Sequence, residues 1–258
     1  MRIFSLINDL SKNKNQKSDK THAVIIGAMK SGTSSLFHYL SQHPNVCPSK
    51  PKEPQFFSDP NRRNQEILTY YNYWKSNYNH KVLLEASTNY SKFPLFSGIP
   101  KAIDNSKIIP KLIYIVRNPF DRIISHYNHS IQRGRKCEIL DGHLLNVSNY
   151  YLQLEQYKEY FHRKDICLLD YDNLTLAPHK IIKKVFKFLN LDEHPIDFSK
   201  THNKTSERMR MFLFFKRNGR SLKSTLTSEQ HLSIYNGLKP SMDKLNLEYD
   251  VDVRKWGF

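Results

Sequence analysis

The sequence predicts an α/β fold, a single domain whose central, mainly parallel sheet is flanked by helices, and three observations carry that prediction. Short apolar runs rich in β-branched residues recur at 21–28 (THAVIIGA), 81–87 (KVLLEAS), 111–118 (KLIYIVRN) and 165–174 (DICLLDYDNL). They are apolar on both faces, as strands of a covered parallel sheet must be. Segments with the 3.6-residue period of amphipathic helices fall between them. A loop rich in Gly, Ser and Thr joins the first run to the first helical segment.

Taken in order, residues 1–20 are polar and basic and are expected to form a loosely ordered arm, with one domain over 21–258. The run at 21–28 is a strand, and SSLFHYLSQHP then places Leu36, Tyr39 and Leu40 on one helical face. Strands at 81–87 and 111–118 follow. NPFDRIISHYNHSIQRG starts a helix with Asn118 as N-cap and Pro119 in the first helical position, and Gly134 stands near its end. Residues 149–164 read as a helix, 165–174 as a strand entering a turn, and 178–191 as a helix opened by Pro178. A basic stretch rich in Ser and Thr covers 200–228, and 229–245 is again helical in pattern.

Composition bounds the function classes. The 258 residues include 40 Lys+Arg against 24 Asp+Glu, a balance of +16, with 39% apolar and 12% aromatic residues. Aromatic and aliphatic residues recur throughout, which argues for a packed core against disorder. No run approaches the ~20 apolar residues of a membrane span, although contact with a membrane surface is left open. Asn8 and Asp9 interrupt what would be the apolar stretch of a signal peptide, so the chain is expected to be cytoplasmic. Cys47, Cys137 and Cys167 have neither disulfide-framework nor zinc spacing. The positive balance attracts anions, whether nucleic acid, acidic lipid, acidic polysaccharide or a multiply phosphorylated cofactor. A general bias toward Lys and Asn accounts for it equally well.

The segment VIIGAMKSGTSSLFHYL carries the most chemistry. A glycine loop between strand and helix aims successive backbone N–H groups and a helix N-terminus at one point, which makes a phosphate site. Against the Walker spacing GxxxxGK[ST] it supplies Gly27, Gly32, Thr33 and Ser34, but no lysine follows Gly32; Lys30 lies inside the loop instead. The cradle is thus P-loop-like without the lysine that kinases and ATPases use. His126 and His129 have no convincing third metal ligand, HExxH and GxSxG are absent, and Cys137 has no arranged base.

Lys30, Ser31, Gly32, Thr33 and Ser34, followed by Ser35, resemble the K-x-G-T-[ST] loop of sulfotransferases that use 3′-phosphoadenylyl sulfate (PAPS). LIYIVRNPFDRIISHY is similar to that family's 3′-phosphate segment, which assigns Arg117 and Ser125 to the cofactor. KPKEPQFFSD resembles the E-x-x-F-F segment of heparan-sulfate-type members and their bacterial relatives, where the acid is the catalytic base, here Glu53. LLEASTNY resembles E-K-[ST]-x-x-Y at Glu85, Ser87 and Tyr90, with Ala86 where many members carry a lysine. DVRKWGF is similar to the family's closing segment. FKRNGRSLKS matches its cofactor-covering loop only at Gly219 and Arg220, with Lys223 close by and Arg208 and Arg210 as competing cations.

The resemblance implies transfer of the sulfuryl group of PAPS to an acceptor hydroxyl or amine, with Lys30 and Glu53 catalytic. Ser31, Gly32, Thr33, Ser34, Ser35, Arg117, Ser125, Gly219, Arg220 and Lys223 would hold the cofactor, and Glu53, Glu85, Ser87, Tyr90 and Tyr150 would face the acceptor. Adenosine 3′,5′-bisphosphate (PAP) would be the product, no metal would be needed, and the favoured partner is a saccharide, not nucleic acid. Two rivals remain at this point: a P-loop kinase or nucleotidyltransferase with a displaced lysine, and a non-catalytic basic module binding nucleic acid or acidic glycan.

Overall fold

A computed structural model describes residues 20–199 and 225–258. Its centre is a five-stranded, wholly parallel sheet in the order β2-β3-β1-β4-β5. The strands are β1 (Thr21–Gly27), β2 (Val46–Pro48), β3 (Val82–Glu85), β4 (Pro110–Val116) and β5 (Ile166–Asp170). All four strands expected from the sequence are present. β2, only three residues long, was not expected, because a run that short has no periodicity to read.

Alternation along β1 explains why the sheet is apolar on both faces. Val24 and Ile26 enter one buried cluster, while Ala23 and Ile25 enter the other. The second cluster is closed by α1 (Thr33–Leu40) and by α7 (Pro178–Phe188), whose Ile181, Ile182, Val185 and Phe186 are buried. The first is closed by α3 (Pro119–Gln132), α4 (Gly142–Ser148), α5 (Tyr150–Lys158) and α8 (Ser228–Tyr249). Thr227 and Gln230 form a capping box at the start of α8. A short α2 (Ile99–Asn105) precedes β4, and α6 (Tyr171–Leu176) occupies the turn expected after β5, held by the Asp170 carboxylate as N-cap. Among the described residues, no helix is long and apolar enough to cross a membrane.

With every strand parallel, the loops leaving β1, β2, β3 and β4 emerge at one edge. Ligands of open α/β sheets sit outside the carboxyl ends of the strands. Every site residue named from the sequence before Tyr150, apart from Ser125 within α3, lies in one of those loops or at its margins.

Candidate active site

The loop after β1 depends on glycine at two points. Gly27 has φ 150°, and a Cβ there would lie 1.9 Å from Ser91 Oγ. Gly32 has φ 87°, and a Cβ there would meet the Tyr171 ring at 3.0 Å and Leu174 at 3.2 Å. Between them the chain doubles back, Ser31 N–H donating to the Ala28 carbonyl (3.1 Å), and Lys30 adopts φ 72°. α1 begins at Thr33 with neither a side-chain cap nor an acidic residue in its first turn. Its leading N–H groups and positive dipole end therefore face the loop without a side-chain counter-charge.

Cations surround this loop. Burial lowers the Lys30 pKa, and the nearby charges of Arg117, Arg133 and Arg122 lower it further. Arg117, at the carboxyl end of β4, donates from Nη1 to the Lys30 carbonyl (3.1 Å) and lies 4.6 Å above the Tyr171 ring. Its Nη2 is 3.6 Å from Asp121, and its Nε is buried with no hydrogen-bond partner among the described residues. Asp121, Ser125 and His129 are spaced four apart on α3 and so share one face. Burial and then the charge of Lys30 push His129 down to about 4.

Arg122 is a cation beside this loop that sequence reasoning missed. It is fully buried and donates to Ser148 Oγ (2.5 Å), the Leu144 carbonyl (2.7 Å), His126 Nδ1 (3.1 Å) and the Met29 carbonyl (3.4 Å). It ties α3 and α4 to the glycine loop, and burial lowers its pKa to about 10. The available signal was a charged residue on the same helical face as Ile123 and His126, both buried.

Glu53 stands on the loop after β2. Its Oε1 pairs with Lys52 Nζ at 2.8 Å, and its Oε2 accepts from Thr88 Oγ1 (3.2 Å) and Gln55 Nε2 (3.4 Å). Lys52 also donates to Ser34 Oγ on α1 (3.1 Å), which joins the carboxylate to the glycine loop. On the outer side, Gln55 accepts from Asn89 Nδ2 (2.8 Å), and Asn89 Oδ1 accepts from Lys92 (2.7 Å). Lys92 is lowered to about 8, by burial first and by Arg122 and Arg135, with Glu53 opposing. Lys52, Gln55, Thr88 and Lys92 were also missed, since nothing in the local sequence shows that they converge on Glu53.

The residues expected to face an acceptor are placed differently. Glu85, Ser87, Tyr90 and Tyr150 are all buried. The Glu85 carboxylate accepts from Tyr70 OH (2.5 Å), Ser87 Oγ (2.5 Å) and Tyr90 OH (3.4 Å), and burial pushes its pKa up to about 7. Ser87 Oγ accepts from Gln55 N–H (3.0 Å), and Tyr90 OH from Phe57 N–H (3.2 Å). This network holds the Glu53 loop from below. Tyr150 OH donates to the Arg117 carbonyl (2.6 Å) and accepts from Arg117 N–H (3.3 Å), fixing that backbone. Ala86 is buried in the cluster beneath α1 and α7. Ser31 and Thr33 are buried, while Ser34, Ser35 and Ser125 are partly exposed. Arg208, Arg210, Gly219, Arg220 and Lys223 lie outside the described residues.

The site is therefore a cationic cradle beside a carboxylate held by hydrogen bonds, and known proteins share its sequence pattern. A family model described as "Sulfotransferase domain" matches residues 20–244. Heparan sulfate glucosamine 3-O-sulfotransferase 5 of Homo sapiens is 27% identical over 209 residues, 74% of this chain and 56% of that protein. Bifunctional heparan sulfate N-deacetylase/N-sulfotransferase 1 of Caenorhabditis elegans is 26% identical over 199 residues, 67% of this chain and 22% of that protein. The chain thus spans at most about half the length of these relatives. In fold it is similar to a sulfotransferase from Alicyclobacillus acidocaldarius (TM-score 0.68, 20% identity, 92% of this chain and 98% of that one). It is also similar to mouse sulfotransferase SULT7A1 complexed with PAP (TM-score 0.51, 16% identity, 87% and 84%).

Proposed function

Since the chain belongs to the sulfotransferase domain family, we propose that it moves the sulfuryl group of PAPS to a hydroxyl or amine of a saccharide. One observation carries the proposal: Lys52 links Ser34 of the glycine loop to the Glu53 carboxylate, so a group held at the loop lies beside a base. The loop fits an anion with two ends. Lys30, the first N–H groups of α1 and the close packing at Gly32 suit a phosphate and its sulfuryl group. Arg117, whose Nε has no partner among the described residues, and Ser125 suit the 3′-phosphate.

When bound, PAPS supplies an activated sulfuryl group and leaves as PAP. Glu53 takes the acceptor's proton as the new bond to sulfur forms. Lys30 and the α1 N-terminus hold the negative charge that builds on the phosphate side as the old bond breaks, and that charge stabilisation is the larger contribution. Thr88 and Gln55 fix one carboxylate oxygen and Lys52 the other, so Glu53 meets the acceptor in one orientation.

Two observations support a saccharide. The named relatives are heparan sulfate enzymes. Lys92, Arg133 and Arg135 gather near His129 beside the loop, a group of cations suited to an acidic chain. A kinase is not favoured, because Gly32 is followed directly by Thr33 with no lysine at the nucleotide-activating position.

Calorimetric titration with PAP and, separately, Mg-ATP tests the donor. We expect PAP to bind and its affinity to fall at least about tenfold in Arg117→Ala, with ATP much weaker. Preference for Mg-ATP would overturn the reading. Labelled PAPS offered with heparan-type chains and with small phenols then tests the acceptor, and transfer to the phenols alone would exclude the saccharide.

A further inference from the structure

We propose that Lys52 is a second lysine of the transfer site and contacts the sulfuryl group itself. The inference rests on the sulfotransferase reading above. Lys30 belongs to the glycine loop itself, whereas Lys52 reaches the start of α1 from another segment. Lys30 has cationic neighbours, Arg117, Arg122 and Arg133, which places it toward β4 and α3. Lys52 comes from the β2 side, and its ammonium bonds at once to Ser34 Oγ (3.1 Å) and Glu53 Oε1 (2.8 Å).

That bridging position is what a sulfuryl contact requires. During transfer, sulfur leaves a phosphate oxygen held at the loop and joins an acceptor oxygen whose proton passes to Glu53. The group in flight therefore passes between loop and base, the interval that Lys52 spans. An ammonium has three N–H donors, and these two contacts engage two of them. Protonation of Glu53 at the end of transfer removes the charge that holds Lys52 on that side, so the same proton movement loosens the ammonium from the base.

The stem of Lys52 starts from a fixed backbone. Its carbonyl accepts from Ala86 N–H (3.0 Å) and Ser49 Oγ (3.2 Å), while Ser49 N–H donates to the Leu84 carbonyl (2.8 Å). These bonds fasten the β2 loop across the end of β3. The Glu53 side chain is 29% exposed, so removal of Lys52 leaves no buried carboxylate behind.

PAPS and PAP differ by the sulfuryl group alone, and their affinities, measured by calorimetry without acceptor, isolate it. In Lys52→Ala we expect PAPS to lose about tenfold, equivalent to about 1.4 kcal/mol, while PAP stays within about twofold. Lys52→Arg should recover part of the PAPS affinity, and Glu53→Gln, which frees the ammonium from the base, should leave the PAPS-to-PAP affinity ratio at or above its wild-type value. Equal loss of both ligands in Lys52→Ala, or no change in either while turnover falls, would overturn the inference and reduce Lys52 to positioning Glu53. Wild-type protein that binds neither ligand would instead overturn the sulfotransferase reading.

Discussion

The two halves of the site solve opposite electrostatic problems. Around β4 and α3, Lys30, Arg117, Arg122 and Arg133 act on one another with Asp121 as the one carboxylate paired to them among the described residues, and burial and mutual repulsion lower Lys30 and Arg122. Around β2 and β3, the Glu53 and Glu85 carboxylates are each matched by hydroxyl, amide or ammonium donors. The first half holds positive charge that an incoming anion would satisfy. The second is satisfied already and holds a base in one orientation. Binding of the phosphates belongs to the first, proton transfer to the second.

Removing Lys30 is the hardest blow to that division. Lys30→Ala should lower turnover on the order of 10²- to 10³-fold, as loss of a donor aimed at developing charge does elsewhere, and should weaken PAP as well. Near-normal turnover would break the comparison at its first half. Glu53→Gln should cost about 10²-fold in turnover, within the range of general-base removal, with PAP affinity unchanged within about twofold. Loss of PAP binding together with turnover in that variant would show that the two halves are one unit.

The halves also differ in how far the sequence reveals them. Lys30 to Ser35 are contiguous, and Arg117 closes an apolar run, so the donor half follows from local order. The base half is assembled from the β2 loop and the segment after β3; Glu53, Glu85, Ser87 and Tyr90 were named in it from the resemblance, but not the groups that hold Glu53. Lys52 is one cation in a lysine-rich loop, and its role depends on the distance to Ser34, which no spacing encodes. Its backbone meets Ala86, the position where the resemblance led one to expect a lysine. Glu85 was assigned to the acceptor because LLEASTNY resembles the family's E-K-[ST]-x-x-Y segment. Strand parity sends it the other way: Leu84 and Ala86 enter one cluster, whereas Glu85 lies on the side of Leu83 among Tyr70 and Tyr90. Arg122 was hidden by the same kind of effect, a helix face whose neighbour α4 is set by tertiary packing.

The finest distinction lies beneath the base half, where two buried groups should titrate against each other. His22 on β1 stacks on Tyr70 with ring centroids 5.8 Å apart, and neither ring nitrogen has a hydrogen-bond partner among the described residues. Burial lowers it from 6.5 to about 4. Glu85, bonded to the hydroxyl of the same Tyr70, is raised from 4.5 to about 7 by burial. The unfolded chain takes up a proton at His22 before the folded one does, so acidification through 6.5 toward 4 destabilises through His22. The folded chain takes up a proton at Glu85 first, so acidification through 7 toward 4.5 stabilises through Glu85. Between pH 7.5 and 5.5 each contribution is roughly 1–2 kcal/mol and the signs are opposed; His126 and His129, lowered by burial as His22 is, add further loss over the same step, so the pair is read from the change each variant makes to the wild-type slope in urea unfolding. Relative to wild type, Glu85→Gln should steepen the loss of stability over that step, and His22→Leu should lessen it. Shifts of the slope in the same direction in both variants, relative to wild type, would mean that Tyr70 does not separate a neutral imidazole from a titrating carboxyl, and that the base half is as electrostatically strained as the donor half.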